Sequence, residues 1–166
     1  MESNVQITTK IANYHDPRDA QQLIDLLNSY AQDPMGGGEA LKPEVKAQLV
    51  ATLANTPGAF TVLAFVDDQP AGIANCFQGF STFKCKPLIN IHDLAVASEF
   101  RGLKLSQLLL QKVEEIANDR GCCKVTLEVL DGNKVAKNAY LKFGYAGYEL
   151  NPEMGKALFW EKPLAN

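Results

Sequence analysis

A chain of 166 residues with 46% hydrophobic and 21% charged residues has the balance of a globular protein and excludes a disordered one. Its formal net charge of -3 excludes the strongly basic surface expected of a nucleic-acid binder. The length suits one domain, expected over residues 1–166, with a core that needs neither disulfides nor a metal.

The opening "MESNVQITTK" has no apolar run, so no signal peptide is expected. No apolar stretch approaches the roughly 18 residues of a membrane span. A cytoplasmic protein without a membrane partner is the expectation. "VQITTKIA" alternates and predicts a first strand over Val5–Ala12. Asp16 then offers an N-cap and Pro17 a first helical position, and Leu23, Ile24, Leu26, Leu27 and Tyr30 recur at helical spacing. "DPMGGGEA" breaks the pattern as a loop. Pro43 opens a second helix, with Val45, Leu49 and Leu53 on its apolar face and Pro57-Gly58 after its end.

A meander comes next. "FTVLAFVDD" and "PAGIANCFQGFS" predict two strands joined by a turn at Asp68-Gln69. "LINIHDLAV" predicts a third, buried on much of both faces. "FRGLKLSQLLLQKVEE" is a turn that opens an amphipathic helix ending near Arg120-Gly121. "CKVTLEVL" is another strand, "NKVAKNAYLKFG" a short helix, and "YAGYELN" and "KALFWEKPL" a last pair of strands. The order predicts an α/β fold: a central mixed, mostly antiparallel sheet flanked by about four helices. Cys76, Cys85, Cys122 and Cys123 form no CxxC and have only two histidines for company, so zinc spacing is absent. Buried free thiols are expected, with a redox role for Cys122 as the alternative.

The turn at Arg101 raises a question of ligand. A helix N-terminus leaves N–H groups unpaired and carries partial positive charge, so a loop of small residues there can seat a phosphate. Gly102 and Ser106 are small; Leu103, Lys104 and Leu105 are not. Alone, "RGLKLS" reads as a plain strand-to-helix turn. In context, "DLAVASEFRGLKLSQLL" resembles the GNAT superfamily of N-acetyltransferases, whose Arg/Gln-x-x-Gly-x-Gly/Ala loop grips the pyrophosphate of acetyl-CoA. Arg101 fits that pattern, Lys104 replaces its central glycine and Ser106 its last small residue. A second segment, "GNKVAKNAYLKFGY", is similar to the family's Asn-x-x-Ala-x-x-x-Tyr-x-x-x-Gly-Phe, with Asn133, Ala136, Tyr140 and Gly144 in place and Tyr145 for Phe.

The resemblance implies acetyl-CoA as co-substrate, its pantetheine arm on the backbone of Leu94, Ala95 and Val96. It implies that the backbone of Arg101, Gly102, Leu103, Lys104, Leu105 and Ser106 takes the phosphates, and that Asn133 contacts the cofactor arm. Asn133 equally suits an N-cap. Lys104 either obstructs the loop or adds a charge to a CoA phosphate. Tyr140 is either core or, as the resemblance implies, the phenol that protonates the departing thiolate. His92 falls where arylalkylamine acetyltransferases of the family carry a histidine, and imidazole suits a base near neutral pH. In a regular strand Asn90 and His92 share a face and Asp93 lies opposite, as a buried acceptor; a bulge would make Asp93 the pocket anion.

Phe77, Phe80 and Phe83, with the glycine loop as rim, suggest an apolar acceptor pocket in which Asn90, Phe80 and Phe83 meet the substrate. A small-molecule primary amine fits this better than a protein tail. The expected reaction is direct transfer in a ternary complex, because no Cys-His nucleophile pair is visible. The rival readings are a catalytically idle module that senses CoA or a metabolite, and transfer to hydroxyls or of longer acyl groups. Many members of the family pair as homodimers; no exposed stripe in this sequence shows one.

Overall fold

The computed structural model describes residues 4–165. Five strands form one sheet in the order β1-β2-β3-β4-β5: Ile7–Ile11, Phe60–Val66, Gln69–Ser81, Lys86–Val96 and Val125–Leu127. All neighbours are antiparallel except β4 and β5, which are parallel. Helices α1 (Pro17–Gln32) and α2 (Pro43–Ala54) cover one face. Helix α3 (Leu105–Asp119) covers the other, with Tyr140 of α4 (Lys134–Lys142) packing beside it. This is the mixed α/β sheet with four helices that the order of elements predicted.

Burial explains the arrangement. Every residue of β2 is buried, because both faces of this inner strand are covered. On the α3 face, Val62, Ala74, Ile89 and Ile91 meet Leu109, Leu110 and Val113. On the α1 face, Leu63, Phe65 and Ile73 meet Leu23, Ile24 and Leu26. Asp16 caps α1 by accepting from the Arg18 N–H, with Pro17 in the first turn, as the sequence indicates.

Several expectations need correction. The β2–β3 turn is Asp67–Asp68, both at positive φ, one residue earlier than expected and of the kind that matches the twist of a two-residue hairpin. Helix α2 turns Val50 and Leu53 to the core while Val45 is exposed, so its buried face is rotated from the one read off the sequence. Strand β5 is only three residues long. Among the described residues neither "YAGYELN" nor "KALFWEKPL" forms a strand; a bond from Ala157 N–H to the Tyr148 carbonyl (2.9 Å) links them, and Trp160 is 82% exposed. Their β-prone composition has found no ladder to join, and propensity without a partner does not make a strand. Of the four free cysteines only Cys76 is buried; Cys85, in the β3–β4 turn, is exposed.

Asp19 pins the junction of β1 and α1. It is almost wholly buried, accepts from Lys10 Nζ (2.6 Å) and takes the Asn13 N–H (2.8 Å). Burial pushes its carboxyl up, but Lys10 and the Asn13 N–H outweigh this and hold it below the usual carboxylate range. A depressed carboxyl stabilises the fold above its ordinary pKa and loses that contribution as pH falls through the lowered value. Asp19→Ala is expected to cost about 2–3 kcal/mol in urea unfolding at neutral pH, and the gap from wild type should narrow in acid.

Candidate active site

Strands β4 and β5 pair only from Ile89–Val125 to Ile91–Leu127. Strand β4 runs on to Val96, held on its other edge by β3 through Leu94–Ala74, Ala95–Ile73 and Val96–Gly72. Beyond Ile91, its edge towards β5 has no strand partner among the described residues. Backbone groups of Asp93–Val96 on that edge are free to meet an extended ligand. Leu94, Ala95 and Val96, expected at the pantetheine arm, lie on this open segment.

The chain then passes a 3-10 turn at Ser98–Phe100 and enters α3 through Arg101–Lys104. The N–H groups of Gly102, Leu103, Lys104, Leu105 and Ser106 have no acceptor among the described residues. Gly102 has φ 88, open to glycine at little cost. Lys104 is the N-cap of α3 at φ 59 and ψ 28, a left-handed conformation, and makes no side-chain cap. This gives a reason why a glycine would suit the position: the left-handed backbone disfavours a Cβ. The lysine is exposed, and its backbone keeps the left-handed form. Lys104→Gly is therefore expected to raise stability by about 1 kcal/mol, read as a higher urea midpoint with an unchanged slope.

The Arg101 guanidinium turns to Asp33, at 3.2 Å, and so ties the loop to the end of α1. The Met35 N–H, and then Arg101, hold the Asp33 carboxyl below its usual range. Between α1 and the end of β4 lies a cavity of about 280 Å³ whose lining includes Tyr30, Asp33, Ala95 and Arg101.

Strand β4 is bulged. Asn75 of β3 pairs with Asp93 while the next residue, Cys76, pairs with Ile91, so His92 is the extra residue. The strand therefore changes parity. Ile89, Ile91, Leu94 and Val96 all join the α3 side, and Ala95 joins the α1 side. His92 stands edge-on to Phe77, 5.5 Å between ring centroids, and Phe77 belongs to the α1-side cluster. Asp93 accepts from Asn75 Nδ2 (3.0 Å) and its charge, after burial, helps to push the Tyr30 phenol up. The bulge thus brings Asp93 to the face of α1, where a regular strand would have turned it away.

Tyr140 packs on the α3-side cluster with Leu94 and Val96. Burial raises its phenol above the ordinary value, and Tyr30 adds to the effect. The two phenols come from helices on opposite faces and are near enough for one to influence the other. Asn133 caps α4 by accepting from the Ala136 N–H (3.2 Å). Asn90 is bonded to Thr126 of β5 (3.0 Å) and so braces the strands at the root of the opening, rather than pointing to a pocket. Phe80 and Phe83, expected in the acceptor pocket, project from the β3–β4 hairpin, 60% and 92% exposed. Phe80 is five residues along β3 from Asn75, roughly 17 Å by strand rise, too far to share its site.

Sequence reasoning missed Tyr14, Tyr30, Asp33, Thr61 and Asn75. Thr61 and Asn75 carried a usable signal: each is a polar residue in a strand that is otherwise apolar, and such groups need partners when buried. Among the described residues no group of His, Cys, Asp and Glu could hold a metal ion, and no helix is long and apolar enough to cross a membrane.

The family model for the GNAT acetyltransferases matches residues 21–145. The chain belongs to that family. As a GNAT acetyltransferase it is an enzyme of the acetyl-CoA-dependent N-acetyltransferase class. A thialysine N-epsilon-acetyltransferase of Caenorhabditis elegans is 29% identical over 130 residues, 75% of each chain. One of Bos taurus is 37% identical over 68 residues, 41% of this chain and 39% of that enzyme. A possible acetyltransferase from Clostridium difficile 630 superposes with a TM-score of 0.77 at 17% identity, covering 96% of this chain and 99% of that one. An aminoglycoside acetyltransferase from a soil metagenome, in complex with sisomicin, gives 0.76 at 15% identity over 96% and 97%. At such identities these solved structures speak for the fold of this GNAT acetyltransferase and leave its substrate open.

Proposed function

We propose that the chain moves the acetyl group of acetyl-CoA to a primary amine of a small molecule by direct attack in a ternary complex. The observation that carries this reading is the pair of seats on either side of one opening. On one side is a run of five N–H groups without an acceptor among the described residues, suited to a pyrophosphate. On the other is the Asp93 carboxylate, suited to an ammonium. Tyr140, which packs on the α3-side cluster as Leu94 and Val96 do, is the phenol assigned to the space between them. The thialysine N-epsilon-acetyltransferases of nematode and cattle favour an amine carried on a side chain of a small molecule.

Chemistry sets the roles. Asp93 holds the incoming ammonium, and His92, its neighbour in the bulge, takes a proton so that a neutral amine can attack the thioester carbonyl. N–H groups on the open edge of β4 stabilise the oxyanion as the C–N bond forms. The C–S bond then breaks: Tyr140 gives its phenolic proton to the leaving thiolate, and the proton that the nitrogen sheds on becoming an amide restores the phenol. Its raised pKa keeps that proton in place across the neutral range. Holding both reactants in one opening supplies much of the acceleration. An acyl-cysteine route is disfavoured: burial pushes the Cys76 thiol up to about 12 and raises Cys122 as well.

Calorimetric titration of acetyl-CoA, with CoA and ATP as controls, is expected to show micromolar binding. Turnover is then followed as free thiol over a panel of amines that includes thialysine, a polyamine and an arylalkylamine. Absence of binding at millimolar acetyl-CoA would end the reading. Tyr140→Phe is expected to lower kcat about 100-fold with acetyl-CoA affinity unchanged. An unchanged kcat would remove the thiolate-donor role. His92→Ala is expected to move the pH profile of turnover; a profile that stays put would pass the proton to water.

A further inference from the structure

Beneath the proposed amine seat, three strands carry one polar row. Thr61 of β2, Asn75 of β3 and Asp93 of β4 are register partners on the α1 face. Thr61 Oγ1 lies 2.7 Å from Asn75 Oδ1, and Asn75 Nδ2 lies 3.0 Å from Asp93 Oδ2. Tyr14, just before α1, closes the row with its hydroxyl 2.9 Å from Thr61 Oγ1. Thr61 is 0% and Asn75 4% exposed, so neither group can exchange its partners for water.

The chemistry of the groups sets a single direction for these bonds. A carboxylate only accepts, so Asn75 must present its amide N–H to Asp93 and its carbonyl oxygen to Thr61. The one hydroxyl proton of Thr61 is then committed to that carbonyl. Tyr14 must therefore donate to Thr61. All three donors point towards Asp93, and each bond polarises the next. An amide cannot hand a proton on in this arrangement, so the row does not conduct protons. It orients.

We infer that Tyr14, Thr61 and Asn75 are positioning residues that fix the Asp93 carboxylate for the ammonium of the acceptor amine. Asn75 occupies Oδ2 and holds the carboxylate plane; Oδ1 has no partner among the described residues and is the oxygen offered to the ammonium. The Asn75 amide is held in this sense from both ends: a flip would set its carbonyl oxygen against the carboxylate and would lose the bond donated by Thr61. Tyr14 keeps the Thr61 proton aimed inward. The inference rests on the reading of Asp93 as amine anchor, and extends it to three residues that touch neither substrate.

The test is steady-state kinetics of the full chain with the best amine of the panel, beside calorimetric acetyl-CoA affinity and thermal melting for each variant. Asp93→Asn examines the anchor itself and is expected to raise the amine KM at least tenfold. Thr61→Val and Tyr14→Phe examine the row. Each is expected to raise the amine KM several-fold with kcat and acetyl-CoA affinity near wild type, and Thr61→Ser, which restores the hydroxyl, to return KM to the wild-type value. Tyr14→Phe keeps the half-buried ring and so retains the fold even where Thr61→Val disturbs it. An amine KM unchanged by Asp93→Asn overturns the anchor and the row together. A KM raised by Asp93→Asn but left alone by Tyr14→Phe and Thr61→Val overturns the row only. Equal loss of melting temperature, acetyl-CoA affinity and kcat in the row variants would reduce it to a packing feature and also overturn the inference.

Discussion

Parallel strands cannot be joined by a tight turn, and β4 and β5 are the one parallel pair in this sheet. The chain leaving β4 must cross over through α3 before β5 can form. That requirement places a helix N-terminus at the end of β4, where its first N–H groups have no acceptor among the described residues. The pairing then stops after three residues, so the end of β4 is open along one edge as well. An anion seat and an exposed run of backbone become neighbours for the same topological reason. Tyr30 of α1 adds to the upward push that burial exerts on the Tyr140 phenol of α4, although the two helices belong to opposite faces.

The electrostatics of the gap are divided. Its α3 end carries partial positive charge from the helix and the cations Arg101 and Lys104. Its α1 side carries Asp93 and Asp33. Arg101 spans the divide through its contact with Asp33, joining residues 68 apart in sequence. A site with such polarity suits two reactants of opposite charge, one at each end. A chain of net charge -3 can still build an anion seat, since the seat is made of backbone dipoles and local cations rather than of overall charge.

The sequence displayed the class of fold and the two family segments clearly, because both signals are local. Helical spacing, caps and an Arg101-Gly102 turn are read within a few residues of one another. The acceptor side was far less legible. Its proposed row joins Thr61, Asn75 and Asp93 through the register of three strands and Tyr14 through a hydroxyl contact from the β1–α1 connection. The bulge at His92 leaves no compositional mark; it exists because β3 and β4 fall out of step, and that is a property of the pair. The pocket assigned to Phe80 and Phe83 failed for the opposite reason. Aromatic residues in a β-rich run suggest a lining, but Phe80 near the end of β3 and Phe83 in the β3–β4 connection are both left exposed. Lys104 shows a third case: it departs from a family pattern, and the left-handed backbone that favours glycine there is invisible until φ is known.

The ladder itself has no need of His92. If that one residue were removed, Asp93 would come directly after Ile91, Asn75 and Cys76 would face consecutive residues, and the two strands would run in step. Ile89, Ile91, Leu94 and Val96 would still face α3, and Asp93 and Ala95 would still face α1. Removing any residue of β4 between Leu94 and Val96 would instead invert the rest of the strand, like a shift of reading frame. His92 is thus surplus to the sheet, an insertion that the architecture tolerates without using. Its imidazole is exposed, and the register of β4 has no need of it.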